Sequence, residues 1–408
     1  MRILHVNKFF DRNGGAEVYM QELMRRQTDA GHDVHALSTR SPNNLPSRDM
    51  SRFVARYDLS HFDPSRPKEW KTDAIIAANF IWNREAKRAM EQALSDLKPD
   101  VVHLHNIYHH LSTSVLAPIR RSGVMCVQTL HDLKLACPNY RMATEGTLCE
   151  RCKGGRYWEA VKHRCLFPGM MPNMLAAAEM GMTKLRQSYE RTVRTFICPS
   201  RFMADTMAEW GEPAPKFTVV RMPIERKPLA HRDDGYLLAV GRLSPEKGYE
   251  DLIRVAGRVP EVRIRIAGIG PVEDRLREVI RSEKIENVEL VGYKRGADLA
   301  ELYDGAAAFI SSPVGYENAP LTVLDALGYG LPVLATDIGG LPEMVQDGVN
   351  GYLIPHGSRD AWVMALKRFA SLSDDARSQM AEESRRVAGS FPDWGRHADL
   401  IRQVYEGV

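Results

Sequence analysis

Two carboxylates eight residues apart mark the part of the chain best suited to chemistry. Glu317 follows an apolar stretch, 308–312, that predicts a strand, and Asp325 falls in the early turns of a predicted helix. Pro320 lies between them and favours a helix start, because its missing N–H would have no intrahelical partner. A helix start presents free amides that bind anions. Asp325 would lie roughly 7–8 Å further along the axis, a suitable span from a diphosphate to its ribose. The amides concerned are those of Asn318, Ala319 and Leu321.

Two cations follow the first apolar strand in the second half of the chain. The strand predicted over 236–240 ends in Gly241, where backbone can approach a ligand, and Arg242 and Lys247 come next. Arginine binds a diphosphate as a fork and lysine binds it as a point charge. Surface charges near a turn explain the pair equally well when it is taken alone. Beside the two carboxylates, we interpret it as part of a diphosphate site.

Glycines mark two further strand ends in the same half. Gly268 follows the strand predicted over 263–267, and Gly292 with Tyr293 follows the next one. A flat base would fit against backbone at either place, and a tight turn explains each glycine on its own. We therefore count both strand ends as candidates for binding the base.

The first strand is also followed by glycines, in the segment 13–17. Gly14 and Gly15 open a predicted helix there, but the full dinucleotide pattern and its acidic residue about 20 positions later are missing. We expect this loop to close over a phosphate and not to bind NAD.

His131 ends a strand predicted over 126–130 and is followed by Asp132. A histidine at a strand end either hydrogen-bonds a sugar hydroxyl or anchors an adjacent loop, with Asp132 as its partner, or it has a structural role with its hydrogen bonds satisfied. Further histidines follow the preceding strand, and we interpret them as lining the site or folding the loop, not as metal ligands. They are His103, His105, His109 and His110.

Strand-like segments alternate with helical ones of 10–15 residues, which predicts parallel sheets covered on both faces. We expect an α/β protein of two Rossmann-like domains facing each other across a cleft, with Met222–Pro228 as the linker. One long helix is predicted over 79–97. Ligands of such sheets bind at the carboxyl ends of strands, where all these motifs lie. The predicted parts are an N-terminal domain over 1–222, a C-terminal domain over 223–390 and a last helix over 391–408 that crosses back to the first.

The composition suits a large folded protein of the cell interior. The chain has 408 residues, 44% of them apolar, enough for two cores. It has no run of 18 apolar residues, so no transmembrane helix is predicted, and its start predicts a strand and not a signal peptide. Six cysteines in so long a chain do not indicate a secreted disulfide scaffold. We expect a cytoplasmic location.

The charge is distributed unevenly along the chain. Residues 1–222 carry a net charge of +9 and the remainder −6. The basic half fits an anionic acceptor or the anionic inner face of a membrane, and ordinary solvated surface is the alternative. No RNA- or DNA-binding signature is present, so we expect no nucleic-acid partner.

Four cysteines form an insert, about 137–165, with the pattern Cys-x11-Cys-x2-Cys-x12-Cys. Four thiolates, two of them in a Cys-x2-Cys pair, suit a tetrahedral structural zinc site. Only one pair has this spacing, so an iron–sulfur cluster, free thiols or a disulfide remain alternatives. Because the insert follows His131, we expect it to shape acceptor binding. Its cysteines are Cys137, Cys149, Cys152 and Cys165, whereas Cys126 and Cys198 lie on apolar strands and are predicted to be buried.

Together these motifs resemble glycosyltransferase family 4 over essentially the whole chain, most strongly over 235–355. The resemblance implies a GT-B fold and metal-independent transfer of a sugar from a nucleoside diphosphate donor, with retention of anomeric configuration. The acceptor would be a glycan or a lipid-linked glycan, in the assembly of a surface or exported polysaccharide. The implied roles are Arg242 and Lys247 on the diphosphate, Glu317 on the donor sugar hydroxyls, the amides of 318–321 on phosphate, Asp325 on the ribose, His131 beside the transferred sugar, and Gly14-Gly15 near the phosphate or acceptor.

One residue departs from the family pattern. The second carboxylate is usually Glu, and Asp325 is shorter by one methylene, roughly 1.5 Å, more than a hydrogen bond tolerates. Either the ribose lies closer or this contact is weaker. Two alternatives stay open: another GT-B enzyme such as a nucleotide-sugar epimerase or phosphorylase, which a donor-only assay would reveal, and a catalytically silent scaffold that binds sugar nucleotides.

Overall fold

The computed structural model of the chain describes residues 1–12, 14–62, 69–144, 146–227 and 232–407. Asn13 of the glycine loop, Pro228 of the predicted linker and Val408 of the predicted last helix lie outside these ranges.

The strands are β1 (Arg2–Val6), β2 (Asp33–Leu37), β3 (Val101–Leu104), β4 (Met125–Thr129), β5 (Ala143–Thr144), β6 (Thr147–Leu148), β7 (Thr195–Cys198), β8 (Phe217–Val219), β9 (Tyr236–Val240), β10 (Arg263–Ala267), β11 (Val288–Gly292), β12 (Ala306–Ser311), β13 (Val333–Asp337) and β14 (Gly351–Pro355). The helices are α1 (Gly15–Asp29), α2 (Trp70–Ile81), α3 (Arg84–Leu97), α4 (Leu116–Ser122), α5 (Trp158–Lys162), α6 (Met170–Leu185), α7 (Arg201–Glu209), α8 (Tyr249–Ala256), α9 (Glu273–Ser282), α10 (Gly296–Asp304), α11 (Leu321–Gly328), α12 (Arg359–Ala370), α13 (Asp374–Gly389) and α14 (Trp394–Glu406).

Unit 1 comprises the described residues of Met1–Glu145, Cys149–Val220 and Gly395–Val408. Its six-stranded sheet has the order β2-β1-β3-β4-β7-β8, and neighbouring strands pair in parallel. The register aligns Val6 with Leu104 and Leu104 with Gln128. The carboxyl ends of β1, β3 and β4 therefore meet at one edge of the sheet, as parallel pairing requires.

Unit 2 comprises Gly146–Leu148 and the described residues of Arg221–Trp394. Its six strands are also parallel, in the order β11-β10-β9-β12-β13-β14. The core packs strand residues such as Ile266 and Ile310 against helix residues such as Ile253 and Leu366, all at most 1% exposed. Two parallel six-stranded sheets confirm the predicted α/β class.

The divisions at 220/221 and 394/395 fall two and four residues from the predicted domain boundaries. Most of α14 belongs to unit 1, where the hydroxyl of Tyr19 lies 2.9 Å from Nε2 of His397 and Gln27 donates to Tyr405 at 3.0 Å. The burial of the two other cysteines, Cys126 and Cys198, is confirmed at 1% and 0% exposed. No helix within the described ranges is long and apolar enough to cross a membrane.

The single long helix predicted over 79–97 is wrong, because the chain forms α2 and α3 there with a break at Trp82–Asn83. Asn83 caps α3: its side-chain oxygen accepts from the amide of Ala86 at 2.9 Å, and its amide group donates to the carbonyl of His110 at 2.7 Å. Asparagine at this position satisfies an amide that would otherwise lack a partner, and it thereby starts a new helix.

Candidate functional site

The carboxyl ends of neighbouring strands in unit 2 meet through glycine backbone. Gly241 follows β9 and Gly268 follows β10, so closely packed that a Cβ on Gly268 would lie 1.9 Å from the carbonyl oxygen of Gly241. The amide of Gly268 donates to the carbonyl of Gly292 at 2.9 Å. Tyr293 comes next and is exposed. Only glycine permits this close approach of two backbone segments. As a result, the backbone of the predicted base-binding residues lies together at the edge of the sheet formed by the carboxyl ends of the strands.

Lys247 and Glu317 are 70 residues apart in sequence and form an ion pair, with Nζ 2.6 Å from Oε1. Their side chains are 28% and 19% exposed. Burial alone would lower the pKa of Lys247, but the charge of Glu317 and the hydrogen bond to it outweigh burial and raise it. The lysine is therefore charged at neutral pH, and the pair holds a cation beside a carboxylate at the ends of β9 and β12. Arg242, exposed, lies one residue after Gly241.

Two glycines with left-handed backbone hold this ion pair in place. Gly248, at φ 69°, follows Lys247, and a Cβ there would lie 2.0 Å from the carbonyl oxygen of Ser312. The hydroxyl of Ser312 donates to the Lys247 carbonyl at 3.2 Å. Gly339, at φ 63°, would place a Cβ 2.2 Å from the carbonyl oxygen of Glu317. Both charged residues are thus anchored by backbone contacts that a side chain would destroy.

Helix α11 begins one residue later than predicted. Pro320 is its N-cap, at φ −65° and ψ 120°, so it is extended and not helical. Its carbonyl accepts the first two helical hydrogen bonds, at 3.0 and 3.2 Å. The structure records no backbone partner for the amides of Leu321 and Thr322 within the part of the chain that it describes. Asn318 and Ala319 lie in the preceding loop.

Asp325 lies one turn into α11, where the residue is exposed to solvent but its carboxyl has many protein atoms close by. Loss of hydration to the surrounding protein raises the pKa of its carboxyl to about 6, with the charge of Lys227 opposing and that of Glu225 adding to this rise. The carboxyl is therefore open to a ligand and titrates close to neutral pH.

The glycine loop of unit 1 lies beside a buried carboxylate. Gly14 caps α1, which begins at Gly15, and a Cβ on Gly14 would lie 3.0 Å from Oε2 of Glu17. Asn7 donates to the other oxygen of Glu17 at 3.1 Å. Burial raises the pKa of Glu17. The loop thus places an acidic group next to the position predicted for a phosphate, and the nearby charge of Lys8 opposes the rise of its pKa.

His131 follows β4 and is half-buried. Burial, with a contribution from the charge of Lys8, lowers its pKa to about 3, so the ring is neutral. Its Nε2 lies 2.9 Å from Nδ1 of His105. The expectation that Asp132 partners His131 is wrong, because another histidine on the neighbouring strand end takes that place.

Asp132 instead fixes the loop that follows. Its carboxylate accepts from the hydroxyl of Tyr108 and from the amide of Lys134, the latter at 3.1 Å. Burial raises its pKa, and the charge of Lys8 opposes this. These partners come from the loops after β3 and β4, so Asp132 joins two strand ends.

Lys8 is a candidate functional residue that sequence reasoning missed. It follows β1, and its Nζ lies 3.7 Å from the ring centroid of Tyr108. Burial lowers its pKa to about 8, against the charges of Asp132 and Glu17. Its position just after a strand was the available signal, the same that singled out Arg242.

The other predicted histidines separate into two groups. His109 and His110 are buried in the loop after β3, where His109 stacks on Phe80 with centroids 4.2 Å apart. His103 lies on β3 and His105 directly after it, and ligand atoms of these two and of His5 on β1 lie within 4.8 Å of one another. Each of their ring nitrogens already has a hydrogen-bond partner.

The four cysteines of the insert lie in one neighbourhood of unit 1. Cys137 and Cys152 are buried, Cys149 and Cys165 are half-buried, and all four thiols are free. Cys152 is close enough to each of the other three for their charges to interact. Among the residues that the structure describes, no three of these sulfur atoms lie within 4.8 Å of one another. The set and its grouping suit a tetrahedral metal site, which would require the sulfurs to move closer together.

The structure thus brings Lys247 and Glu317 together beside the start of α11, with Arg242, Gly268 and Asp325 on the same unit. His131 and the Gly14-Gly15 loop belong to unit 1. Besides Lys8, sequence reasoning missed Gly339, whose signal was the Gly-Gly pair after a strand.

Two family models match the chain. The model described as Glycosyltransferase Family 4 matches residues 13–227, and the one described as Glycosyl transferases group 1 matches residues 221–387. The second range begins at Arg221, the first residue of the long segment of unit 2. Together they account for nearly the whole chain.

Curated relatives agree with the family models. The chain is 29% identical over 209 residues to the putative colanic acid biosynthesis glycosyltransferase WcaL of Salmonella typhimurium, a match that covers 47% of this chain and 52% of WcaL. It therefore spans about half the length of that relative. It is 28% identical over 418 residues to the glycogen synthase of Mycobacterium tuberculosis, covering 96% of this chain and 91% of the synthase.

Solved structures share the fold over the full length. Sucrose-phosphate synthase from Thermosynechococcus elongatus superposes with a TM-score of 0.72 at 15% identity, covering 100% of this chain and 98% of that one. The Anabaena protein HepE, in complex with UDP and glucose, gives 0.68 at 15% identity and covers both chains completely. The fold is GT-B, and the chain belongs to glycosyltransferase family 4.

Proposed function

We propose that the chain is a retaining glycosyltransferase that moves a sugar from a nucleoside diphosphate donor to a glycan or lipid-linked acceptor in polysaccharide assembly. Unit 2 binds the donor. Support comes from family membership and from relatives named for colanic acid, amylovoran and glycogen synthesis. The observation that carries the proposal is the Lys247–Glu317 ion pair at the start of α11.

In this proposal the diphosphate binds between cations and helix amides. Arg242 and Lys247 supply the positive charge, and the amides of Leu321 and Thr322 at the start of α11 donate to phosphate oxygens. Binding of a phosphate beside Lys247 frees Glu317 to accept hydrogen bonds from hydroxyls of the donor sugar. Asp325 accepts from the ribose. These two roles explain why Lys247 and Glu317 form an ion pair with each other when no donor is bound.

Positive charge beside the diphosphate also drives the chemical step. As the bond between the sugar and the β-phosphate breaks, negative charge accumulates on the leaving phosphate, and Arg242, Lys247 and the amides stabilise it. No metal is needed for this. His131, from unit 1, accepts a hydrogen bond from the transferred sugar, and its neutral ring adds no charge to the site.

A donor screen followed by a transfer assay tests the proposal. Thermal unfolding is measured with UDP, GDP, ADP, CMP and TDP, beginning with UDP because the relative GtfA of Streptococcus gordonii is named for a UDP-linked donor. A ligand at about 100 times its Kd stabilises by roughly 2.7 kcal/mol. The sugar nucleotides of the best base are then supplied with and without glycan acceptors, and NMR reports the anomeric configuration of the product. Binding without hydrolysis or transfer favours the silent scaffold, and an altered sugar on the recovered nucleotide favours an epimerase.

We also propose that the four insert cysteines bind a structural zinc ion. When bound, zinc would cross-link a segment that has few packed apolar residues. The ligands would be Cys137, Cys149, Cys152 and Cys165, whose grouping around Cys152 supports the proposal.

A basic N-terminal half suits an acceptor or membrane surface that carries negative charge, and vesicle sedimentation with and without anionic lipid measures that contact.

Zinc content measured by mass spectrometry tests the metal proposal. The variant Cys149→Ser/Cys152→Ser should lose about one zinc per chain and unfold at a lower temperature, because a structural site contributes directly to folding. The matched control is Cys198→Ser, which removes a buried thiol outside the insert and should keep the zinc. Unchanged metal content and unfolding temperature in the double variant would rule the site out.

A further inference from the structure

Three stacked imidazoles cross the interior of unit 1 and end at His131. His5 on β1, His105 after β3 and His131 after β4 have successive ring centroids 5.4 and 5.2 Å apart. Hydrogen-bonding distances join them in series: 3.0 Å from Nδ1 of His5 to Nε2 of His105, and 2.9 Å from Nδ1 of His105 to Nε2 of His131. We call these three residues the histidine row. Neither His5 nor His105, both 0% exposed, has a task in the proposed reaction.

The buried end of the histidine row meets Gln27 of α1. Nε2 of His5 lies 2.7 Å from Oε1 of Gln27, and the amide nitrogen of Gln27 donates to the hydroxyl of Tyr405 at 3.0 Å. That hydroxyl lies 2.6 Å from Nδ1 of His103, whose Nε2 lies 2.8 Å from the hydroxyl of Thr129. Gln27 is 3% exposed. Its side-chain oxygen contacts the histidine row, and its side-chain nitrogen contacts Tyr405, which leads on to His103 and Thr129. We call this whole set of hydrogen bonds the network.

Every ring in the network is neutral. Burial lowers the pKa of His5 to about 4 and that of His131 to about 3. The pKa values of His103 and His105 also lie well below the usual range, because of burial and then of neighbouring histidines. A neutral imidazole has one N–H donor and one bare nitrogen that accepts. Each hydrogen bond in the histidine row therefore has one fixed donor and one fixed acceptor. Once the donor of the first bond is known, the donors of all the others follow.

The carbonyl oxygen of Gln27 can only accept, so it determines the donor of that first bond. His5 donates from Nε2 and accepts at Nδ1. His105 then donates from Nε2 to His5 and accepts at Nδ1 from Nε2–H of His131. The remaining nitrogen of His131, Nδ1, is left bare, and the structure records no hydrogen bond to it within the described residues.

We propose that Gln27 is a positioning residue: its amide fixes the tautomer of His131 through His5 and His105, so that Nδ1 of His131 presents a lone pair to a substrate hydroxyl. A bare nitrogen accepts from a hydroxyl and cannot donate to a phosphate or carboxylate oxygen. His131 would thus select a neutral sugar group over an anionic one. That the hydroxyl belongs to the transferred sugar rests on the proposed function, whereas the tautomer does not.

Two substitutions of similar size separate this role from packing. In Gln27→Glu the carboxylate stabilises a positive charge on His5, so both nitrogens of His5 donate. The direction of the row is then reversed, and Nδ1 of His131 carries the proton. In Gln27→Met the side chain has nearly the same shape but lacks an acceptor able to orient the row. His131 should then exchange between its two tautomers.

Nitrogen NMR of the full chain with ¹⁵N-labelled histidine reads the tautomer directly. His131 is assigned by the signal missing from His131→Gln, and circular dichroism checks that each variant is folded. We expect a bare Nδ1 and a protonated Nε2 in the wild type, the opposite tautomer in Gln27→Glu, and averaged shifts in Gln27→Met. A protonated Nδ1 in the wild type, or identical His131 signals in Gln27→Met, would overturn the proposal. So would a metal ion bound to His5 and His105, because coordinated nitrogens cannot relay the direction.

Transfer kinetics give a second readout. Gln27→Met should lose about twofold in kcat/KM, because averaged shifts mean that about half of the His131 rings have the accepting tautomer. Gln27→Glu should lose about tenfold, the value of one neutral hydrogen bond, because its Nδ1 carries a proton. If no sugar is transferred by any variant, the proposed function fails while the NMR result still decides the tautomer. If the wild type is active and Gln27→Met is equally active despite averaged shifts, His131 does not use Nδ1 on the substrate.

Discussion

Replacing Lys247 by methionine tests the donor site at its central contact. Nζ of Lys247 lies 2.6 Å from Glu317, where two unit charges attract by about 6 kcal/mol at an effective dielectric constant near 20. Both side chains are less than a third exposed, so lost hydration offsets much of this attraction. A hydrogen bond between charged groups contributes about 1.5–3 kcal/mol net. We expect Lys247→Met to lower the unfolding temperature of unit 2 by about 3–12 °C.

A double-mutant cycle with Glu317→Gln isolates the pair. Removing the lysine leaves a carboxylate without its partner, so the second substitution should restore part of the lost stability, with a coupling of about 0.5–3 kcal/mol. Arg258→Met is the control in the same unit, because Arg258 pairs with Asp360 at 2.8 Å on an exposed surface, with side chains 53% and 80% exposed. Such a pair contributes little, and its loss should leave both stability and ligand affinity almost unchanged.

Calorimetric titration then separates the two partners by ligand. Lys247→Met should weaken the nucleoside diphosphate by about ten- to a hundredfold, because it removes a charged hydrogen bond to phosphate. Glu317→Gln should strengthen binding of the nucleoside diphosphate, because it removes the carboxylate that competes with phosphate for Lys247, and should weaken the contact to the donor sugar. Wild-type binding of the diphosphate by Lys247→Met would exclude Lys247 as a phosphate ligand, and simply additive effects of the two substitutions on stability would exclude a stabilising ion pair.

Two further predictions concern other parts of unit 2. The pKa of Asp325 is raised to about 6, and its carboxylate accepts hydrogen bonds better when ionised, so nucleoside diphosphate affinity should rise as the pH increases through 6. In Asp325→Asn only the titration of the phosphate should remain. A pH profile of affinity that is unchanged in this variant would exclude a ribose contact. Gly248→Ala should destabilise by more than about 2 kcal/mol in urea unfolding, because its Cβ would meet a carbonyl oxygen at 2.0 Å. Gly292→Ala is its control, with a similar φ of 73° but open space around the Cβ; equal losses in both would show that only backbone conformation matters.

Sequence patterns predicted most strands of the two large sheets, because most of them are short apolar runs. They missed β14, which begins at a glycine and ends at a proline, and the two-residue strands β5 and β6. They placed Arg242, Lys247 and Glu317 at strand ends. The ion pair itself was not predictable, since its partners lie 70 residues apart and which strands adjoin is set by sheet order. The family resemblance supplied roles for these residues, and their geometry had to come from the structure.

Local sequence patterns failed where helix capping or burial determines the bounds of an element or the partner of a side chain. Asn83 starts a new helix inside a stretch with continuous helical periodicity. Helix α6 escaped prediction because its sequence, rich in Met and Ala, shows little contrast between its faces. Asp132 follows His131 directly, yet neighbouring strand ends provided both of their partners. Contacts across a parallel sheet join residues far apart in sequence, which a local pattern cannot show.

The last helix has a consequence for how the protein is made. Unit 1 is interrupted by the 174 residues of Arg221–Trp394, so Tyr405, which hydrogen-bonds Gln27 and His103, leaves the ribosome long after the strands that it joins. At about 5–20 residues per second, translation of the intervening segment takes roughly 9–35 s. During that time unit 2 can complete its own fold, while the interior of unit 1 waits for its final helix. Newly made chains should therefore be most vulnerable to proteases in the part that was synthesised first.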